Sequence, residues 1–355
     1  MKRKIALLIS LIMIIGTVLI ACGSGNDSSS NTDGANGADK DKKEDVKVAL
    51  VCDPAGTQVF INMMITALKD SANEYGYQPI VVECADSAAY EDNIRALVEE
   101  GTDFIIVGGW IGGEALGNIA KEFPDRADYA LIDSTVDADN VKCISYREQE
   151  GAYLIGMIAA SVVEEGENVF GAVHVNQGPG SWKWRYGYME GVKSINPEAT
   201  FVFNYTGSYN DPAQAKESAS LQFEQGARFV NAACAGGDIG VFEAAKDLGF
   251  YTSGQDIDLT DPENPYIVSS QIKDTGATMQ NLIDNYFSGN WDTENEEWGI
   301  AEGTIGAVHI THESENPISG RLSEDELQAI KDKADQMRTG GLDIKVIPTE
   351  EEYNK

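Results

Sequence analysis

With 355 residues, 42% of them hydrophobic, the chain exceeds one ordinary domain and can bury the cores of two lobes of roughly 100 to 150 residues each. Fifty-eight acidic residues against 26 basic ones give a formal charge of −32, which repels phosphate backbones and argues against nucleic acid as a partner. Five dispersed cysteines (Cys22, Cys52, Cys84, Cys143 and Cys234) show neither metal-ligand spacing nor a dense disulfide pattern.

The chain opens on Lys2-Arg3-Lys4, runs through an apolar stretch to Ile20, and reaches Ala21-Cys22. A basic start, an apolar run shorter than a spanning helix needs, and a small residue before cysteine make residues 1–22 a secretory leader with a lipobox. The lipobox implies diacylation of Cys22 and a lipid anchor. Residues 23–45 are Gly, Ser, Asn, Asp and Lys with almost no apolar side chain, so they lack the burial that would order them and read as a tether.

From Val46 onward, short apolar runs alternate with amphipathic helical patterns, the signature of repeated β-α units on parallel sheets. Strands are expected at 47–52, 78–84, 103–109, 128–133, 141–146, 168–175, 200–205, 228–234, 251–255 and 266–272. Helices are expected at 57–75, 90–100, 149–164, 181–195, 212–225 and 239–248, where apolar residues recur at three- and four-residue steps. Cys52 and Cys84 end neighbouring strands; buried thiols are the plainer expectation for them, with a disulfide as the alternative.

In such sheets ligands bind beyond the carboxyl ends of the strands, which directs attention to the residues after each run. The first strand is followed by Asp53-Pro-Ala-Gly56-Thr57-Gln58-Val-Phe60-Ile-Asn62, a turn entering a helix that Thr57 can cap. Phe60 and Asn62 offer a ring face and an amide there. Trp110 stands among glycines after the third strand, and Asp133 follows the fourth. Trp182 follows a Gly-Pro-Gly loop that lacks the Lys-Ser/Thr of a phosphate loop. Gly236-Gly237-Asp238 falls short of a dinucleotide fingerprint, and Asp238 serves a cap as readily as a ligand. Asp256 and Lys273 come directly after the last two of these strands. No HExxH helix, GxSxG elbow or CxxC pair occurs, so no catalytic residue is visible, and His309-Ile-Thr-His312 lacks the companion ligands of a metal site. No cofactor is implied.

Residues 129–160 (YALIDSTVDADNVKCISYREQEGAYLIGMIAA), 205–219, 231–256 and 269–274 (SSQIKD) resemble the basic membrane protein family, the purine-nucleoside-receptor-like substrate-binding lipoproteins of ABC transporters. The resemblance runs from about Val46 to His309. It implies a type I periplasmic-binding-protein fold: two doubly wound parallel-sheet lobes joined by three crossings. The first lobe is expected to take 46–146 plus 274–318, the second 147–273 plus 319–347 with a tail helix at 322–337.

The resemblance further places the family's first-helix aromatic on Phe60, its acids on Asp133 and Asp256, its double glycine on Gly236 and Gly237, and its lysine on Lys273. Where relatives read Phe-Asn-Gln this chain reads Phe60-Ile61-Asn62, which leaves Asn62 or Gln58 as the polar contact, and either Trp110 or Trp182 as the second stacking ring. The ligand set expected is therefore Asp53, Gln58, Phe60, Asn62, Trp110, Asp133, Trp182, Gly236, Gly237, Asp256 and Lys273. A monomer anchored on the extracytoplasmic face of the membrane, binding a nucleoside and delivering it to a permease, is the implied function. The alternatives are a solute sensor, a binder of a sugar, flavin or other small heterocycle, and a nucleoside-processing enzyme using Asp53 and Asp133.

Overall fold

The computed structural model describes residues 45–318 and 320–345; the leader, Cys22 and nearly all of the tether lie outside them. The chain repeats one order of elements twice. First come β1 (Lys47–Cys52), α1 (Val59–Tyr75), β2 (Gln78–Glu83), α2 (Ser87–Glu99), β3 (Phe104–Gly108), α3 (Gly113–Glu122), β4 (Asp128–Ile132), β5 (Val141–Tyr146) and α4 (Glu148–Val162). Then follow β6 (Val169–His174), α5 (Pro179–Ile195), β7 (Thr200–Tyr205), α6 (Pro212–Glu224), β8 (Phe229–Ala233), α7 (Asp238–Leu248), β9 (Tyr251–Asp256), β10 (Ile267–Lys273) and α8 (Thr275–Ser288). Two three-residue strands, β11 (Glu296–Trp298) and β12 (Ile305–Ala307), and helix α9 (Glu324–Arg338) complete the described chain.

The strands form two six-stranded sheets, ordered β11-β5-β4-β3-β1-β2 and β12-β10-β9-β8-β6-β7. All pairs are parallel except β10 with β12. The apolar runs explain this: β3 and β8 are buried at every position, as strands covered by helices on both faces must be. In α1 the buried residues Ile61, Met64, Leu68 and Ser71 recur at helical spacing and turn one stripe to the sheet. Cys52 and Cys84 are free thiols that belong to different core clusters, on opposite faces of the first sheet.

The chain passes between the sheets three times: from β5 into α4, from β10 into α8, and from β11 to β12. Segment 274–318, expected in the first lobe, divides. Its α8 packs on α1 and its β11 pairs with β5, whereas β12 is hydrogen-bonded to β10 of the second sheet. Three-residue strands carry too little periodicity to be seen in the sequence.

Helix α4 is buried almost throughout and lies against α5. Glycines make the approach close: a Cβ at Gly191 would lie 2.0 Å from the carbonyl oxygen of Tyr153, and one at Gly156 would lie 2.2 Å from that of Tyr188. Backbone cannot yield as a flexible side chain does. Gly191→Ala is expected to lower the unfolding free energy by about 2 kcal/mol or more, read as a fall in the urea midpoint; an unchanged midpoint would refute this packing.

Candidate functional site

A cavity of about 870 Å³ opens at the carboxyl ends of both sheets. That volume falls in the range of small-molecule sites. Equivalent positions in the repeat supply much of it. Asp133 follows β4 and Asp256 ends β9, and both hold left-handed backbone, with φ of 74° and 71°. Aspartate tolerates this region better than most residues, and the strand-end turn aims each carboxylate into the cavity. Tyr146 and Lys273 occupy the matching ends of β5 and β10.

Lys273 links the two halves. Its ammonium donates to Asp133 Oδ1, and to Glu148 Oε1 at 2.9 Å. The Phe60 ring centroid lies 5.3 Å from this nitrogen and that of Tyr146 5.0 Å away. Burial disfavours the Lys273 ammonium, but the carboxylates of Asp133 and Glu148 reverse this and hold it well above the ordinary lysine range. Burial pushes Asp133 up to about 6 against the pull of Lys273. Asp256 is pushed to about 6 in the same way, and its Oδ1 has no protein partner. Burial opposes the Glu148 carboxylate as well, yet Lys273 and then Lys183 keep it below its usual range.

On the first-sheet side the cavity is lined by Asp53, Gln58, Phe60 and Trp110. Tyr90 donates to Asp53 Oδ1 at 2.8 Å; burial raises the Asp53 pKa and this bond lowers it. The Gln58 amide is committed to Pro54 O at 2.8 Å. Trp110, 56% exposed, donates from Nε1 to Tyr209 Oη at 3.0 Å across the cleft, and Thr57 Oγ1 donates to Asn210 Oδ1 at 3.0 Å beside it. Thr57 thus bridges the halves instead of capping α1, whose N-cap is Gln58 without a side-chain bond.

Four expected residues lie away from this cavity. Asn62 donates to Gln58 O at 2.9 Å and Gly56 O at 3.3 Å, bracing the start of α1, and borders a separate open groove between α1 and α8. Trp182 is replaced by Trp184: two residues along a helix turn a side chain by roughly 200°, so only one of the pair can face the ligand space. Gly236 and Gly237 sit in the buried turn Ala235–Gly237. A Cβ at Gly236 would meet Asn210 Oδ1 at 2.5 Å and Thr57 Oγ1 at 2.7 Å, so this glycine permits contact between the halves. Asp238 accepts the Cys234 N–H at 2.8 Å and closes that same turn.

The sequence reading missed Tyr146, Glu148, His174, Lys183, Trp184, Tyr209, Gln255 and Glu297, all of which line the cavity. Tyr146 and His174 are the last residues of their strands, inside the runs and not after them. Glu148 reads in sequence as an ordinary acid in a first helical turn. Among the described residues no group of three or more His, Cys, Asp or Glu side chains could hold a metal ion. Nor is any described helix long and apolar enough to cross a membrane.

A family model described as ABC transporter substrate-binding protein, PnrA-like, matches residues 17–337. The chain is 30% identical over 257 residues to a CD4+ T-cell-stimulating antigen of Listeria innocua, covering 70% of this chain and 69% of that one. It is 28% identical over 297 residues to basic membrane protein A of Borreliella burgdorferi, covering 78% and 85%. A crystal structure of an ABC transporter system solute-binding protein from Aeropyrum pernix shares the fold at a TM-score of 0.77 and 22% identity, covering 87% of this chain and 95% of that one.

The buried acids have a consequence for stability. Burial raises Asp238 to about 7, above its value in the unfolded chain, so the folded state holds the proton more tightly and stability falls as pH rises from about 4 to 7. Asp238→Asn keeps the acceptor for Cys234 N–H and removes the titration. The variant's thermal midpoint is expected to match that of the wild type near pH 4 and to exceed it increasingly up to pH 8; a constant difference across that range would contradict the burial argument.

Proposed function

The chain belongs to the PnrA-like family of ABC transporter substrate-binding proteins, and from that premise we propose that it binds a nucleoside, a purine nucleoside first of all, between its two lobes. The observation that carries this reading is the cluster in which one lysine from the second sheet is shared by Asp133 and Glu148 under the ring of Phe60, with Asp256 beside it. A planar heterocycle gains from a ring face, about 1 to 3 kcal/mol by analogy with base stacking. A vicinal diol is matched by carboxylate acceptors and an ammonium donor fixed in advance.

The charge of the lining favours a nucleoside over a nucleotide. Asp53, Asp133, Glu148, Asp256 and Glu297 outnumber Lys183 and Lys273, so an added phosphate would meet excess negative charge in a poorly hydrated space. The contacts of Trp110 with Tyr209 and of Thr57 with Asn210 support closure across the mouth, with ligand favouring the closed state by its contacts to both lobes. In this reading the lipid-anchored protein, tethered through Cys22 on the extracytoplasmic face, presents that closed form to its permease and transforms nothing.

Titration calorimetry with nucleosides, free bases, sugars, flavins and adenosine monophosphate tests the ligand. Nucleosides are expected to bind and the monophosphate to fail. Lys273→Ala and Asp256→Ala are each expected to weaken nucleoside binding by about 1 to 3 kcal/mol. Wild-type affinity in both variants, or preference for the monophosphate, would reject the assignment.

A further inference from the structure

A second ionic cluster sits where the chain crosses between the sheets. Arg147 is the single residue between β5 and α4, the first crossing. Its guanidinium donates from Nε to Glu150 Oε1 at 2.8 Å, from one terminal nitrogen to Glu302 Oε2 at 2.7 Å, and from the other to the carbonyl of Glu297. Glu150 lies in the first turn of α4, Glu297 in β11, and Glu302 in the segment from β11 to β12 that makes the third crossing. Both carboxylates are fixed in turn. Glu150 Oε2 accepts the Ile300 N–H at 2.8 Å, and Glu302 Oε2 the Gly299 N–H at 2.6 Å. The second crossing joins through the Asp274 N–H, which donates to Thr304 O at 2.8 Å.

The fit around this fork is close. Gly299 is buried, and a Cβ there would lie 2.4 Å from Glu150 Oε2 and 2.7 Å from two nitrogens of Arg147. Glycine is what lets the third crossing pass against the guanidinium. The side chains of Arg147 and Glu150 are 24% and 10% exposed, so the pair is shielded more than an ordinary surface ion pair, and the planar fork makes its bonds directional. Arg147, Glu150, Gly299 and Glu302 stand outside the cavity lining, although Glu148 and Glu297, close by in the chain, belong to it.

We propose that Arg147 is a positioning residue: a clasp on the first and third crossings that favours the closed arrangement of the lobes and so sets the affinity for a ligand it does not touch. This rests on the closing-lobe part of the reading above, not on which solute is bound. The clasp is complete in the structure in which the mouth contacts of Trp110 with Tyr209 and of Thr57 with Asn210 are also made. Opening turns α4, with Glu150, relative to β11, with Glu297. A rigid fork bonded on three sides cannot follow both. Bonds exchanged for water in the open arrangement add their net worth to the closed one. The apparent affinity for a ligand held by the closed form then scales with the fraction of protein that is closed.

Spin labels on Glu114→Cys in α3 and Lys246→Cys in α7, exposed positions on helices that begin at the two rims of the mouth, read the lobe separation by pulsed electron resonance. The described native cysteines are buried and spared from labelling. Arg147→Met keeps the apolar stem and removes the fork; Gly299→Ala wedges the third crossing off the fork without changing charge. In each variant the adenosine concentration that closes half of the protein is expected to rise about tenfold, by the same factor for inosine, and no further when the two changes are combined. Ligand-free distances are expected to shift toward the longer separation. Arg147→Lys, which keeps the charge but not the fork, is expected to recover part of the loss. Unchanged half-closing concentrations in both variants, even with a lower urea midpoint, or losses that differ between adenosine and inosine, overturn the clasp and leave the nucleoside reading standing. A wild type that neither nucleoside closes overturns the nucleoside reading; the clasp then stands if the ligand-free distances lengthen in both variants and falls if they do not.

Discussion

Lys273 supplies the positive charge to which the carboxylates at the junction of the two sheets are referred. Asp133 belongs to the first sheet, Lys273 to the second, and Glu148 to the helix that crosses between them. Removing water from such a cluster is costly, and the cost is met only while every member keeps its partner. The position of the lobes, the protonation of the acids and the shape of the cavity are therefore not independent features. A change at Lys273 would reach all three.

The repeat within the chain accounts for why the cluster sits where it does. Each half ends its fourth strand with an aspartate in left-handed backbone and its fifth with a large polar side chain, Tyr146 or Lys273. When the two sheets face one another, equivalent strand ends converge on one space, and ordinary α/β geometry yields a site with two similar walls. The two walls differ in charge and ring content. Phe60 and Trp110 come from the first, and His174, Lys183 and Trp184 from the second. Left-handed aspartates are a modest strain that the surrounding structure maintains.

Much of this was legible in the sequence because parallel strands buried on both faces leave long apolar runs, and the residues following those runs are few. Asp53, Gln58, Phe60, Trp110, Asp133, Asp256 and Lys273 were found by that logic, and all line the cavity. It failed where side-chain direction matters more than position. Asn62 folds back on its own helix, and Trp184 faces the ligand space where Trp182 does not. Glu148 and His174 were invisible for a different reason: an acid in a first helical turn and a residue closing an apolar run each have an ordinary structural use. Only the three-dimensional arrangement shows that one is shared by two lysines and the other has no partner. The short strands β11 and β12, which bring the chain across for the third time, carried no periodic signal.

Asp133 and Lys273, from different sheets, form one ion pair and should act as one unit. A double-mutant cycle with Asp133→Asn and Lys273→Met, measured by urea unfolding and by affinity for the nucleosides proposed as ligands, reads this coupling. Each single change should be costly and the pair much less than additive, with a coupling above about 1 kcal/mol in both measurements. Additive losses would mean that the two side chains serve stability and binding separately, and that they are not one unit.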